Sequence, residues 1–94
     1  MTTFDLAGRT AVVTGSAQGM GRAMAIALAE AGADIILLDR DKTGIEATAH
    51  NIGRLGRKSL AIAGDVTDTD HIDRVFTTVD RDFGGVDVLG NVAG

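Results

Sequence analysis

Thr14-Gly15-Ser16-Ala17-Gln18-Gly19-Met20-Gly21 lies between an aliphatic run, Thr10 to Val13, and an apolar stretch, Met24 to Ala29. The run reads as a strand and the stretch as a helix, so the eight residues are a glycine-rich turn at a helix start. A pyrophosphate is held by backbone N–H donors that no side chain obstructs, and a helix N-terminus supplies such donors together with the positive end of a dipole. Gly15 permits a tight turn out of the strand, Gly19 lets phosphates approach the backbone, and Gly21 lets helix and strand pack closely. Ser16 and Gln18 add side-chain donors, and Met20 completes the candidate contact set. Glycine-rich turns also serve as plain connections, so the surrounding pattern decides.

That pattern is an alternation. Aliphatic runs recur at Asp34 to Leu38, Ser59 to Ala63 and Val86 to Leu89, each separated from the last by a segment long enough for a helix. Strands alternating with helices imply βαβ units around a parallel sheet. The first helix spans about Gly19 to Ala31, is apolar nearly all round, and is stopped by Gly32. The second spans about Lys42 to Arg54 with Ile45, Ala49 and Ile52 on one face, although Gly44 and Gly53 each cost about 1 kcal/mol of helix propensity. The third carries an unbroken stripe, Ile72, Val75, Phe76, Val79 and Phe83, which reads as core. Thr67 with Asp70 reads as its N-terminal cap and Gly84-Gly85 as its end. Asp39 closes the second strand, 18 residues after Gly21. A carboxylate there accepts both hydroxyls of an adenosine ribose, whereas a 2′-phosphate meets repulsion of about 4 kcal/mol per charge pair at ~4 Å and an effective dielectric of ~20. NAD is therefore expected over NADP, with Arg40 as a cation able to offset part of that repulsion.

Composition narrows the rest. The chain has 94 residues, which fits one domain, 1–94, and no more. With 45% hydrophobic and 23% charged residues and no Pro, it is a folding composition and neither a disordered nor a collagen-like one. A net charge of −4 is the wrong sign for tracking nucleic acid or an anionic membrane. There is no Cys, hence no disulfide, thiolate nucleophile or Cys-based zinc site. No apolar run approaches the roughly 18 residues of a membrane span, and a cytoplasmic location is expected. His50 and His71 stand without a partner at metal spacing, and Asp41, Asp68, Asp70, Asp73, Asp80, Asp82 and Asp87 read as surface or capping groups.

Taken in register, these features resemble the N-terminal half of the short-chain dehydrogenase/reductase family. Thr14 to Gly21 matches that family's Thr-Gly-x-x-x-Gly-x-Gly, and Asp39 matches its ribose-binding acid in NAD-dependent members. Asp65-Val66 matches the pair that contacts adenine there. Asn91-Val92-Ala93-Gly94 is similar to its Asn-Asn-Ala-Gly, with Val92 replacing the second Asn and removing a side chain that braces the central strands. The resemblance implies a Rossmann-type doubly wound parallel α/β sheet, β-α-β-α-β-α-β with strand order 3-2-1-4, ending after the fourth strand. It also implies a cofactor site built from Gly15, Ser16, Gln18, Gly19, Met20, Gly21, Asp39, Arg40, Asp65, Val66, Asn91, Ala93 and Gly94.

Family members reduce carbonyls or oxidise alcohols with a Tyr-x-x-x-Lys pair, and this sequence contains no Tyr. Neither Lys42 nor Lys58 substitutes, so no catalytic residue is assigned. One expectation is that the chain is the NAD(P)-binding portion of an oxidoreductase whose catalytic half lies elsewhere, which leaves the alcohol or carbonyl substrate conditional on that half. The other is a stand-alone protein that binds a dinucleotide or a partner without catalysis. A homo-oligomer is expected, and if the 94 residues are stable alone, self-association is expected through the fourth strand or a bare sheet face. An S-adenosylmethionine-binding methyltransferase also uses a glycine loop and an acid after the second strand, but with denser Gly-x-Gly spacing than Thr14 to Gly21 shows.

Overall fold

The computed structural model describes residues 6–65 and 67–91. Its elements follow the chain as β1 (Thr10–Thr14), α1 (Gly19–Glu30), β2 (Asp34–Asp39), α2 (Lys42–Arg54), β3 (Ser59–Ala63), α3 (Thr69–Phe83) and β4 (Val88–Asn91). The strands form one sheet in the order β3-β2-β1-β4, and every neighbouring pair is parallel. The Rossmann-type arrangement expected from the sequence is therefore the one observed.

Parallel strands covered on both faces must be apolar at every position rather than at alternate ones. Ala11, Val13, Ile35 and Leu37 point to one side and pack with Ala25 and Ala29 of α1 and Ile45 and Ile52 of α2. Val12, Ile36 and Leu38 point to the other and pack with Val75 and Val79 of α3. The two-residue period of the strand thus divides a continuous aliphatic run between two cores. Because all strands run the same way, Thr14, Asp39, Ala63 and Asn91 end at one edge of the sheet. The strand order reverses at β1, which makes the crevice above its C-terminal end the favoured ligand position in such a sheet.

Several boundaries and contacts differ from the sequence reading for identifiable reasons. Helix α1 is buried along only one narrow line, Gly21, Ala25 and Ala29, while Ala23 and Ala27 are exposed. Small residues on that line let the helix lie close to the sheet, and Ala contributes helix propensity where it faces solvent. Strand β4 begins at Val88 rather than Val86. Asp87 explains the offset: its N–H donates to the Thr10 carbonyl at 2.9 Å, its carboxylate accepts from the Thr10 N–H at 2.9 Å, and Arg9 pairs with it. Val86 packs beneath α3 instead of entering the sheet.

The cap of α3 is Asp68, whose carboxylate accepts from the N–H groups of Asp70 and His71, and not Thr67. Thr67 is held by Asp65, which removes it from the capping position. Gly84 ends the helix with φ 76°, the left-handed conformation that favours glycine.

Gly44 and Gly53, equal in propensity, occupy unlike surroundings in α2. A Cβ on Gly44 would lie 2.6 Å from the Ala17 Cβ and 3.0 Å from the Ala17 carbonyl oxygen, whereas one on Gly53 would meet nothing within 4 Å. Gly53→Ala is expected to raise stability by about 0.5–1 kcal/mol. Gly44→Ala is expected to lower it, since overpacking costs about 1–3 kcal/mol against a propensity gain of about 1. Denaturant midpoints of the two variants, moving in opposite directions, check the assignment.

Candidate dinucleotide-binding site

At the end of β1 the chain reverses into α1 through residues whose backbone is fixed from behind. Gly15 takes φ 63°, and its N–H donates to the Leu38 carbonyl at 2.9 Å. Ser16 is fully buried, and its hydroxyl donates to the same carbonyl in a long, 3.5 Å contact. The hydroxyl expected as an extra ligand donor is thus turned into the fold. The Ala17 N–H donates to an Asp39 carboxylate oxygen at 3.1 Å. Gly21 then brings the helix against the turn: a Cβ there would lie 1.8 Å from the Gly15 carbonyl oxygen and 2.6 Å from its carbon. No side chain fits that space.

The front of the turn is open. Gln18 flanks the helix without a side-chain capping bond, no acidic residue occupies the first turn, and Gly19 takes φ 59° with nothing within 4 Å of where its Cβ would be. The first N–H groups of any α-helix lack intrahelical acceptors. In α2 and α3 the carboxylates of Asp41 and Asp68 supply them. At α1 no side chain does so, and Gln18, Gly19 and Met20 are exposed beside these donors. This donor set and the clearance over Gly19 fit a diphosphate.

A network behind the turn, not foreseen from the motif, sets its position. Arg22 donates from Nε to the Thr48 hydroxyl at 2.9 Å, and from one Nη to the carbonyls of Gly44, at 3.3 Å, and Ala17. Thr48 is fully buried on the inner face of α2, and its hydroxyl reaches the Ser16 carbonyl at 2.8 Å. Two successive carbonyls of the turn are therefore tied to α1 and α2 from below. Two signals could have revealed this network: Arg22 is a cation in the first turn of a helix, where the dipole disfavours it unless it has acceptors, and Thr48 is a polar residue on an apolar helix face.

On the neighbouring strand Asp39 accepts from Ala17 N–H with one oxygen and from Asp41 N–H, at 3.0 Å, with the other. Each oxygen retains a lone pair for a further hydroxyl donor. Arg40, 73% exposed in its side chain, pairs with Asp65 just beyond β3. The other Asp65 oxygen accepts from the Thr67 N–H at 2.8 Å and the Thr67 hydroxyl at 2.6 Å. Those Thr67 bonds, and then Arg40, lower the Asp65 pKa to about 2. His71 packs its imidazole against Gly64, which leaves no room for a Cβ there, and His50 is exposed. Among the described residues no cluster of His and carboxylates suits a metal. Asn91 ends β4 in register with Thr14, whose hydroxyl donates to the Gly90 carbonyl at 3.4 Å. The structure thus gathers Gly15, Gly19, Met20, Gly21, Asp39, Arg40, Asp65 and Asn91 along the C-terminal edge of the sheet. Val66, Val92, Ala93 and Gly94 lie outside the described residues.

A parallel sheet in this order, with a glycine turn into an uncapped helix and an acid ending the second strand, defines a nucleotide-binding Rossmann unit. The chain belongs to the short chain dehydrogenase family, whose model matches residues 9–94. It is 36% identical over 94 residues to the 2,3-dihydro-2,3-dihydroxybenzoate dehydrogenase of Bacillus subtilis, covering all of this chain and 36% of that protein. Its fold is similar to L-sorbose reductase from Gluconobacter frateurii, solved with NADPH and L-sorbose, with a TM-score of 0.91 and 35% identity over 99% of this chain and 36% of the other. Carveol dehydrogenase from Mycobacterium avium, solved with NAD, gives a TM-score of 0.89 at 28% identity, covering 98% of this chain and 38% of the other. The chain spans about a third of the length of the curated relatives it matches, and it corresponds to their N-terminal part.

Two measurements check this geometry. Thr48→Val keeps the volume but leaves the Ser16 carbonyl and Arg22 without the hydroxyl, and is expected to lower stability by about 1–3 kcal/mol in denaturant unfolding. Asp65 has a folded-state pKa below its ordinary value of 3.8, so its contribution to stability is complete above that value and fades as pH falls through about 2. Thr67→Val removes one of the bonds holding the carboxylate ionised. A carbon-13 titration is expected to show the Asp65 midpoint moving up toward 3.8.

Proposed function

We propose that this chain is the cofactor-binding portion of an NAD(P)-dependent oxidoreductase acting on an alcohol or carbonyl substrate, with NAD preferred over NADP. The observation that carries the reading is the uncapped start of α1, open above Gly19 and flanked by Asp39. In this reading the backbone of Gly19 to Gly21 binds the diphosphate, and Asp39 accepts the ribose hydroxyls with the lone pairs left free by Ala17 and Asp41. Asp65 borders the adenine, and Val66, Asn91, Ala93 and Gly94 are further cofactor contacts by the family resemblance alone. A bound nicotinamide supplies a hydride donor or acceptor at its C4.

Related structures carry NADPH in one case and NAD in another, so family membership alone leaves the preference open. Asp39 supports NAD, because its charge would oppose a 2′-phosphate. The acid/base pair of the reaction is placed outside these 94 residues, which contain no Tyr. The reading extends to a cytoplasmic, homo-oligomeric protein. Among the described residues no helix is long and apolar enough to cross a membrane.

Calorimetric titration of the protein, as its source organism makes it, with NAD, NADP and S-adenosylmethionine tests the assignment. NAD is expected to bind most tightly, Gly19→Val to abolish binding by obstructing the diphosphate, and Asp39→Ala to erode the preference over NADP. An unchanged NAD/NADP ratio in the Asp39 variant would sink the ribose assignment, and tighter binding of S-adenosylmethionine would sink the oxidoreductase reading. An intact mass far above that of 94 residues is the expected companion result.

A further inference from the structure

Strands β2 and β3 end side by side, with Asp39 in register with Ala63, so the residues that follow them meet across the sheet edge. Arg40 is the cation adjacent to Asp39 and the side chain suited to neutralising a phosphate on the ribose 2′-oxygen. It does not stand alone there: its guanidinium donates to Asp65 Oδ2. Nor is Asp65 free to turn away, because Thr67 holds Oδ1 through two hydrogen bonds and so presents Oδ2 to Arg40.

We propose that Asp65 is a specificity-determining residue: by engaging Arg40 it withholds that charge from a 2′-phosphate and leaves the repulsion from Asp39 unopposed, favouring NAD over NADP. The inference rests on the dinucleotide reading of the site and adds to it a residue in the loop after β3, whereas the ribose acid ends β2. Both side chains are largely exposed, 73% for Arg40 and 38% for Asp65, which limits the strength of the pair. Exposed ion pairs couple by up to about 1 kcal/mol, so the expected effect is about 5-fold in the affinity ratio and no larger.

Asp65→Asn is the appropriate variant, since its carbonyl oxygen still accepts from Thr67 while its amide repels the Arg40 donors. Affinities for NAD and NADP are measured by calorimetry for the natural protein, Asp65→Asn, Arg40→Ala and the double variant. Any change in adenine contact affects both nucleotides and cancels in the ratio. The NADP/NAD affinity ratio is expected to rise by about 3- to 5-fold in Asp65→Asn and to stay level when the same change is made in the Arg40→Ala background. A ratio that does not move, or that rises equally without Arg40, overturns the inference while leaving the dinucleotide site intact. Failure of the natural protein to bind either nucleotide overturns the site itself, and this inference with it.

Discussion

The close approach of the start of α1 to the turn that leaves β1 governs the site. At Gly21 a single methyl group would overlap the Gly15 carbonyl, at 1.8 Å. Its absence lets the helix begin directly above the strand end, and the helix N-terminus then faces the crevice at the point where strand order reverses. If α1 were displaced outward, the first-turn N–H groups, the Asp39 carboxylate and the strand ends would no longer share one edge. Packing and ligand geometry are therefore one constraint here, and Gly21 serves both through the space it leaves empty.

That approach is secured from the opposite side by polar contacts that join three elements. Arg22 and Thr48 tie the carbonyls of Ser16, Ala17 and Gly44 together, and Gly44 admits α2 to within contact of Ala17. With its carbonyls engaged below, the turn directs its remaining backbone donors upward. Asp39 belongs to the same assembly, because it accepts from Ala17 and so links β2 to the turn. A residue proposed as a ligand for ribose is thus also part of the support for the glycine turn proposed to hold the diphosphate. Loss of its carboxylate bears on both, which is why the nucleotide affinity ratio is more informative than affinity alone.

Much of this was legible in the chain because the relevant physics is local. The stripe Ile72, Val75, Phe76, Val79 and Phe83 marks α3, and within it Val75 and Val79 are the buried pair. Gly84 marks its end through a left-handed φ that other residues adopt only with strain. The boundaries that shifted did so where local signals competed with distant ones. Thr67 has the chemistry of a cap but is taken by Asp65, which passes the role to Asp68. Val86 has the propensity of a strand residue, but Asp87 anchors on Thr10, 77 positions earlier, and starts β4 beyond itself. Gly44 reads as a weakness in a helix until Ala17 is seen against it.

By itself the sequence determined the alternation of elements, the two-faced burial of the strands, the glycine turn and the acid at the end of β2. Each depends on periodicity or spacing within one or two consecutive elements, and so is written in the order of residues. Tertiary structure alone decided which polar atoms meet: Thr48 with Ser16, 32 residues apart, and Arg40 with Asp65, 25 apart. Such partners are chosen by the register of parallel strands and the depth to which helices settle on them. Those quantities depend on the packing of the whole sheet and are set by no single segment.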